Sequence, residues 1–176
     1  MNKKILFFII GLGLSLFSLD GHTQDAAFDF SKIDVYREAK SKALPVQDLD
    51  SVFSEKERKT LSKMLIKYHN KSTNVIVVVT VDSIAPFQDA RQMATALGRY
   101  WGVGHKEKNN GLIMLLCKPC RSFGIATGDG TRKTLTDSIC MKTMEEVIFP
   151  QLKKEEYFKG IKEGAETLMQ HWDVGN

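Results

Sequence analysis

The run from Asn74 to Val81 (Asn-Val-Ile-Val-Val-Val-Thr-Val) constrains this chain more than any other segment. After Asn74 every residue in it is β-branched, and all but Thr80 are apolar. Such side chains lose rotamer freedom in a helix and fit a pleated surface. With no polar alternation to mark a wet face, the run predicts a central strand covered on both sides. Its neighbours supply the covers. Ser54-Glu-Lys-Glu57 has the form of a capping box, and Leu61, Met64, Leu65 and Tyr68 follow on one helical face. Beyond the run, Phe87, Ala90, Ala94, Leu97 and Trp101 recur at spacings of three and four, and Gly102 ends that helix.

Residues 111–116 form a second buried strand, and 123–127 pair with it through a hairpin. A helix is predicted from about Thr136, with Ile139, Met144, Val147 and Ile148 as its apolar side, stopped by Pro150. The last helix carries Phe158, Ile161, Ala165, Leu168 and Trp172, while Gly160 and Gly164 thin its packing face. Val46-Gln-Asp48 is a short extended segment where the chain enters the domain. This order gives an α/β fold: a β-α-β unit plus a hairpin, in a small mixed β-sheet flanked by helices.

The first residues read differently. Lys3 and Lys4 precede an apolar stretch over residues 5–19, the pattern of a secretory signal. The expected division is a signal peptide over 1–24, a mobile leader or peripheral helix over 25–44, and a domain over 45–174. The protein is expected in the periplasm of a bacterium, free after cleavage. The less favoured alternative is an uncleaved N-terminal anchor, for which the stretch is short. With 25 basic and 21 acidic residues, the net charge of +4 is spread along the chain without an arginine-rich block, which argues against nucleic-acid binding.

Four junctions, three of them built on glycine, lie close together: Tyr100-Trp-Gly-Val-Gly104, Asn109-Asn-Gly111, Gly128-Asp-Gly130 and Leu135-Thr-Asp137. Their order suggests several loops meeting at one end of a sheet. Asn or Asp beside glycine can bind a cation, a phosphate or the chain's own amides. Ligands of open α/β sheets gather beyond the carboxyl ends of the strands. Asp48, Asp82, Asn109, Asn110, Asp129 and Asp137 all fall at predicted element ends, and hard oxygen ligands suit Ca²⁺ or Mg²⁺. The same residues also serve as caps: Asp137 can start a helix and Asn110 can hold a turn. No Gly-x-Ser-x-Gly, Walker loop or His-Glu-x-x-His occurs, so no catalytic nucleophile or base is marked. Cys117-Lys-Pro-Cys120 has redox spacing but falls at a hairpin tip rather than a helix start. A structural disulfide and a pair of ordinary thiols both remain open.

Taken in order, these motifs resemble the TPM domain family of bacterial envelope and thylakoid-lumen proteins. The likeness runs from Pro45 to Trp172. It includes Val46-x-Asp48, Phe53-Ser54 with Glu57, Val77 to Val81, Trp101-Gly-Val-Gly104 and Asn109-Asn-Gly-Leu112. Gly128-x-Gly130, Leu135-Thr-Asp137, Pro150 and Tyr157-Phe-x-Gly-Ile161 complete it. The resemblance implies an α/β/α sandwich and a divalent-cation cleft, for Ca²⁺ or Mg²⁺, at Asp48, Asn110 and Asp137, with Asp129 beside them. It also implies a weak acid-phosphatase-like activity on phosphomonoesters or, alternatively, a non-catalytic role in assembling or maintaining envelope membrane proteins. One position departs. Where the family pattern has Gly-x-Gly-Leu-Glu, this chain has Gly128-Asp-Gly-Thr-Arg132, and Arg132 would favour an anion where the acid favours a metal.

Overall fold

The structure, a computed structural model, describes residues 28–175. The signal-like segment at 1–24 lies outside the described residues. Four strands form one sheet in sequence order: β1 (Val46–Asp48), β2 (Val75–Val81), β3 (Gly111–Cys117) and β4 (Ser122–Thr127). The first three are parallel and β4 runs antiparallel to β3. The helices are α1 (Asp34–Lys42), α2 (Glu55–Ser72), α3 (Ala90–Trp101), α4 (Asp129–Arg132), α5 (Asp137–Thr143), α6 (Phe149–Leu152) and α7 (Tyr157–Val174).

The β-branched run is β2, buried from Ile76 to Val81. Its alternate side chains feed two cores, because successive residues of a strand point to opposite faces. Ile76 and Val78 join Val46, Leu112 and Met114 under α2 and α7, around Leu61, Leu65, Leu168 and Trp172. Val77, Val79 and Val81 join Ile113 and Leu115 under α3. The result is an α/β/α sandwich. Phe30, ahead of α1, is also fully buried, stacking on Phe87 and Tyr100. The segment read as a leader therefore contributes to the second core from Phe28 onward.

The crossovers have a topological consequence. From β1 to β2 and from β2 to β3 the chain steps in the same direction across the sheet. Yet α2 covers one face and α3 the other. Two parallel crossovers with the same step and opposite faces have opposite hands. One of them departs from the usual right-handed connection.

Pro150 does not stop the helix, contrary to expectation. After α5 the chain widens into a π-helical turn over Met144–Ile148, in which the Phe149 amide donates to the Met144 carbonyl. The ladder restarts at Phe149, so Pro150 falls in the first turn of α6, where no amide is required. The turn also aims Ile148 at α7. A Cβ on Gly164 would collide with the Ile148 side chain, so the thinned face of α7 receives that residue. Among the described residues no helix is long and apolar enough to cross a membrane.

Candidate functional site

Asp48 is the last residue of β1, and its side chain is 1% exposed. One carboxylate oxygen accepts from the Val52 amide at 2.8 Å and the Thr80 hydroxyl at 2.6 Å. The other accepts from the Phe53 amide at 3.1 Å and the Arg58 guanidinium at 3.4 Å. A buried carboxylate survives only if its lone pairs are satisfied, and four donors from its own chain do so here. The loop after β1 leaves for one face and the loop after β2 for the other. Asp48 and Thr80 tie the two together at their point of divergence.

Asn110 does comparable work at the opposite end of the sheet. Its side-chain oxygen accepts from the His105 amide at 2.9 Å. Its amide nitrogen donates to the Thr73 carbonyl at 3.0 Å and to the Asn74 side-chain oxygen at 3.1 Å. The Asn110 carbonyl accepts from the Val75 amide at 3.0 Å. Asn110 thus fastens the end of α2, the start of β2 and the loop after α3 to the start of β3. The glycines around it serve close approach. A Cβ on Gly111 would strike the Val103 carbonyl, on Gly128 the Asn109 carbonyl, and on Gly130 the Lys108 carbonyl.

The three glycine junctions therefore do meet at one end of the sheet, but it is the amino end of the parallel strands, and Leu135-Thr-Asp137 is not among them. Asp48 and Thr80 share a rung, as do Thr80 and Leu116. Asn110 lies six positions before Leu116, which puts Asp48 and Asn110 roughly 20 Å apart along the strand direction. Asp129 opens α4 near Asn110, with its side chain 87% exposed. Asp137 starts α5, next to the β4 edge, and pairs with Arg91 at 2.8 Å. As placed, the four residues do not converge on one ion.

What does open at the amino end is a cleft of about 550 Å³ between the end of α3, the loop after it and the junction of β4 with α4. Arg99, Lys106 and Arg132 line it, together with His105, Asn109, Thr127 and the single acid Asp129. A second cavity of about 360 Å³, floored by Leu65, Val75 and Trp101, shares Gly102, Val103 and Gly104 with it.

A family model of the TPM domain matches residues 46–171. The chain belongs to the TPM domain family. The solution structure of the N-terminal domain of a P. gingivalis protein superposes on it with a TM-score of 0.69 at 24% identity, covering 77% of this chain and 87% of that one. The N-terminal domain of the cg2496 protein from Corynebacterium glutamicum does so with a TM-score of 0.57 at 17% identity, covering 76% and 81%. At these identities the likeness establishes the fold. No curated protein matches the chain.

Within this TPM domain, no three His, Cys, Asp or Glu side chains among the described residues form a group able to hold a metal. The donor set implied by the resemblance, split between the two ends of the sheet, does not fit a single divalent ion. Arg132, the departure from the family pattern, lines the cleft instead. Arg99 and Lys106 escaped the sequence reading, although both flank the Trp101-Gly-Val-Gly104 motif within two residues. That adjacency was the available signal.

The cysteines divide clearly. Cys117, the last residue of β3, is joined as a disulfide to Cys120 in the turn that leads to β4, a turn closed by the Arg121 amide on the Lys118 carbonyl at 3.1 Å. Cys140 is free and buried. Burial, helped by the Asp137 charge, pushes its thiol up to about 11. At neutral pH it stays protonated and is no nucleophile.

Proposed function

We propose that this chain is a non-catalytic TPM module of the cell envelope, a rigid binding domain that assists assembly or maintenance of membrane proteins. One observation carries the reading. The two polar residues central to the family motifs, Asp48 and Asn110, spend their side chains on holding loops of their own chain. A residue that must coordinate an ion or substrate needs free lone pairs, and Asp48 is sealed from solvent. An envelope location is supported by the signal-like start of the sequence and by the Cys117–Cys120 disulfide, a bond typical of oxidising compartments.

The test combines two measurements on the full chain. Hydrolysis of a generic phosphomonoester is followed across pH with Mg²⁺, Mn²⁺ or Ca²⁺, and cross-linked partners are recovered from intact envelopes. The expected result is no metal-dependent turnover, together with a membrane protein captured reproducibly. Turnover that rises with added metal would overturn this reading and restore the phosphatase-like hydrolase.

A further inference from the structure

Strand β2 outruns its neighbour at the edge of the sheet. Its first rung with β1 joins Val78 to Val46, so Val75, Ile76 and Val77 continue with no strand on that side. Hydrogen bonding alternates between the two sides along β2. The Val75 amide donates toward β3, to the Asn110 carbonyl at 3.0 Å. Toward β1, the Val78 amide donates to the Pro45 carbonyl at 2.8 Å and the Thr80 carbonyl accepts from the Leu49 amide at 3.2 Å. By that alternation the main chain of Ile76 faces the β1 side. The next bond of the ladder would bring the residue 45 amide to the Ile76 carbonyl, and Pro45 has no N–H. Ahead of Pro45 the chain has already turned away, at the left-handed Ala43 that ends α1. The N–H and C=O of Ile76, a residue only 3% exposed, are left without a partner among the described residues.

Ile76 lines the cavity of about 360 Å³ floored by Leu65, Val75 and Trp101. Gln47, buried in the same lining, donates through Nε2 to the Ala39 carbonyl at 3.1 Å and the Leu44 carbonyl at 3.0 Å. Both of its donors are thereby used, and its Oε1 accepts from no group of the described chain. The Trp101 indole is held in place by its N–H on the Tyr36 carbonyl at 3.1 Å. The slot is thus a fixed, mostly apolar space with one main-chain donor and one main-chain acceptor at its edge. Such groups are costly when unpaired. A ligand that satisfies both must offer an acceptor and a donor at the spacing of a single strand residue, with apolar groups around them. An extended peptide has that form, whereas a metal ion, a small anion or an acyl chain lacks it.

The rim of the slot adds a charge requirement. Leu44 and Ile66, 52% and 48% exposed, separate it from a groove along the outer face of α2 and line both spaces. In that groove lie Arg58, Lys59, Lys63 and Lys67 against one acid, Glu55, which already pairs with Lys59. Lys63 and Lys67 have no carboxylate partner among the described residues. We propose that the edge of β2 ahead of β1 receives an extended acidic peptide segment of a partner protein. Its main chain pairs with Ile76, its apolar side chains fill the slot, and its acidic residues lie over Lys63 and Lys67. The inference rests on the binding-module reading and names how such a module takes hold of a partner.

Capped octapeptides with three apolar residues flanked by Glu are screened against the full chain by fluorescence anisotropy, and the tightest is carried forward. Saturable one-to-one binding is expected. N-methylation at one of the three apolar residues should weaken it at least tenfold, because it removes the donor to the Ile76 carbonyl and keeps the side chain. Lys in place of Glu should do the same. On the protein, Ile66→Glu and the pair Lys63→Glu with Lys67→Glu change exposed positions and should each weaken binding at least tenfold, with thermal melts checking that the variants fold. Hydrogen exchange of the Ile76 amide, followed by NMR, should slow at least tenfold at saturation while the β4 amides stay unchanged. No binding, binding that survives N-methylation at every position, or unchanged exchange at Ile76 would each overturn the proposal. Self-association that the peptide does not displace, or adsorption to phosphatidylglycerol vesicles in place of peptide binding, would overturn it in favour of a second copy or a lipid surface. An envelope partner still cross-linked by the Ile66→Glu variant would overturn it and leave the module reading standing. Metal-dependent turnover of a phosphomonoester would refute the module reading and leave the peptide titration and the Ile76 protection intact.

Discussion

At the carboxyl end of β1 a carboxylate is 1% exposed and accepts from four donors of its own chain. At the amino end of β3, three cations line an open cleft with a single acid among them. In the sequence the two regions are marked in the same way, by polar or charged residues beside turns at element ends. The structure separates them by whether the polar groups are already used. A satisfied group resists change and contributes to stability. An unsatisfied one, held in place by its neighbours, is available to a ligand. The difference lies in burial and partners as well as in the sign of the charge.

The comparison can be broken most sharply at Asp48. Asp48→Ala strands the Val52 and Phe53 amides and the Thr80 hydroxyl in a buried site, and should cost about 3–5 kcal/mol in urea unfolding. Asp48→Asn, which keeps acceptor capacity at one position, should cost about half of that. A loss below about 1 kcal/mol for the alanine variant would mean that the carboxylate is not structural. Asn110→Ala comes next. It removes three hydrogen bonds in a buried position and should cost roughly 2–3 kcal/mol, read from the thermal midpoint. Reduction of Cys117–Cys120 should cost less, at most about 2 kcal/mol, because the closed loop is so short. Arg132→Glu should shift stability by no more than about 0.5 kcal/mol, since the side chain is 52% exposed and its ion pair is long. If Arg132→Glu proved as damaging as Asn110→Ala, the cleft would be structure too, and the contrast would fail.

The sequence was a good guide wherever periodicity governs. The β-branched run, the three-four spacing of α3 and α7, and the capping box at Ser54 appear where the pattern puts them, except that Asp89 caps α3 and leaves Phe87 ahead of the helix. The helix after Thr136 shows where that guide weakens. Pro150 is a stop signal only when its missing amide matters, and a five-residue π-helical turn ahead of it removed the need. The site shows the same limit. Asp48, Asn110, Asp129 and Asp137 were grouped because each stands at an element end, yet an end can be of either polarity and at either edge. Asp48 and Asp137 lie by opposite edge strands, and Asn110 and Asp129 lie at the other end of the parallel strands.

By itself the sequence determined the local elements, the two-faced burial of β2 and the membership of a TPM-type fold, because those depend on short-range patterns of shape and polarity. Only the tertiary structure decided the strand order, the opposite hands of the two crossovers and which loops share a neighbourhood. Contacts between distant segments decide whether a given Asp is consumed by amides and hydroxyls or an Arg is left facing a cavity. No spacing along the chain encodes which donors will be within 3 Å once the sheet has closed.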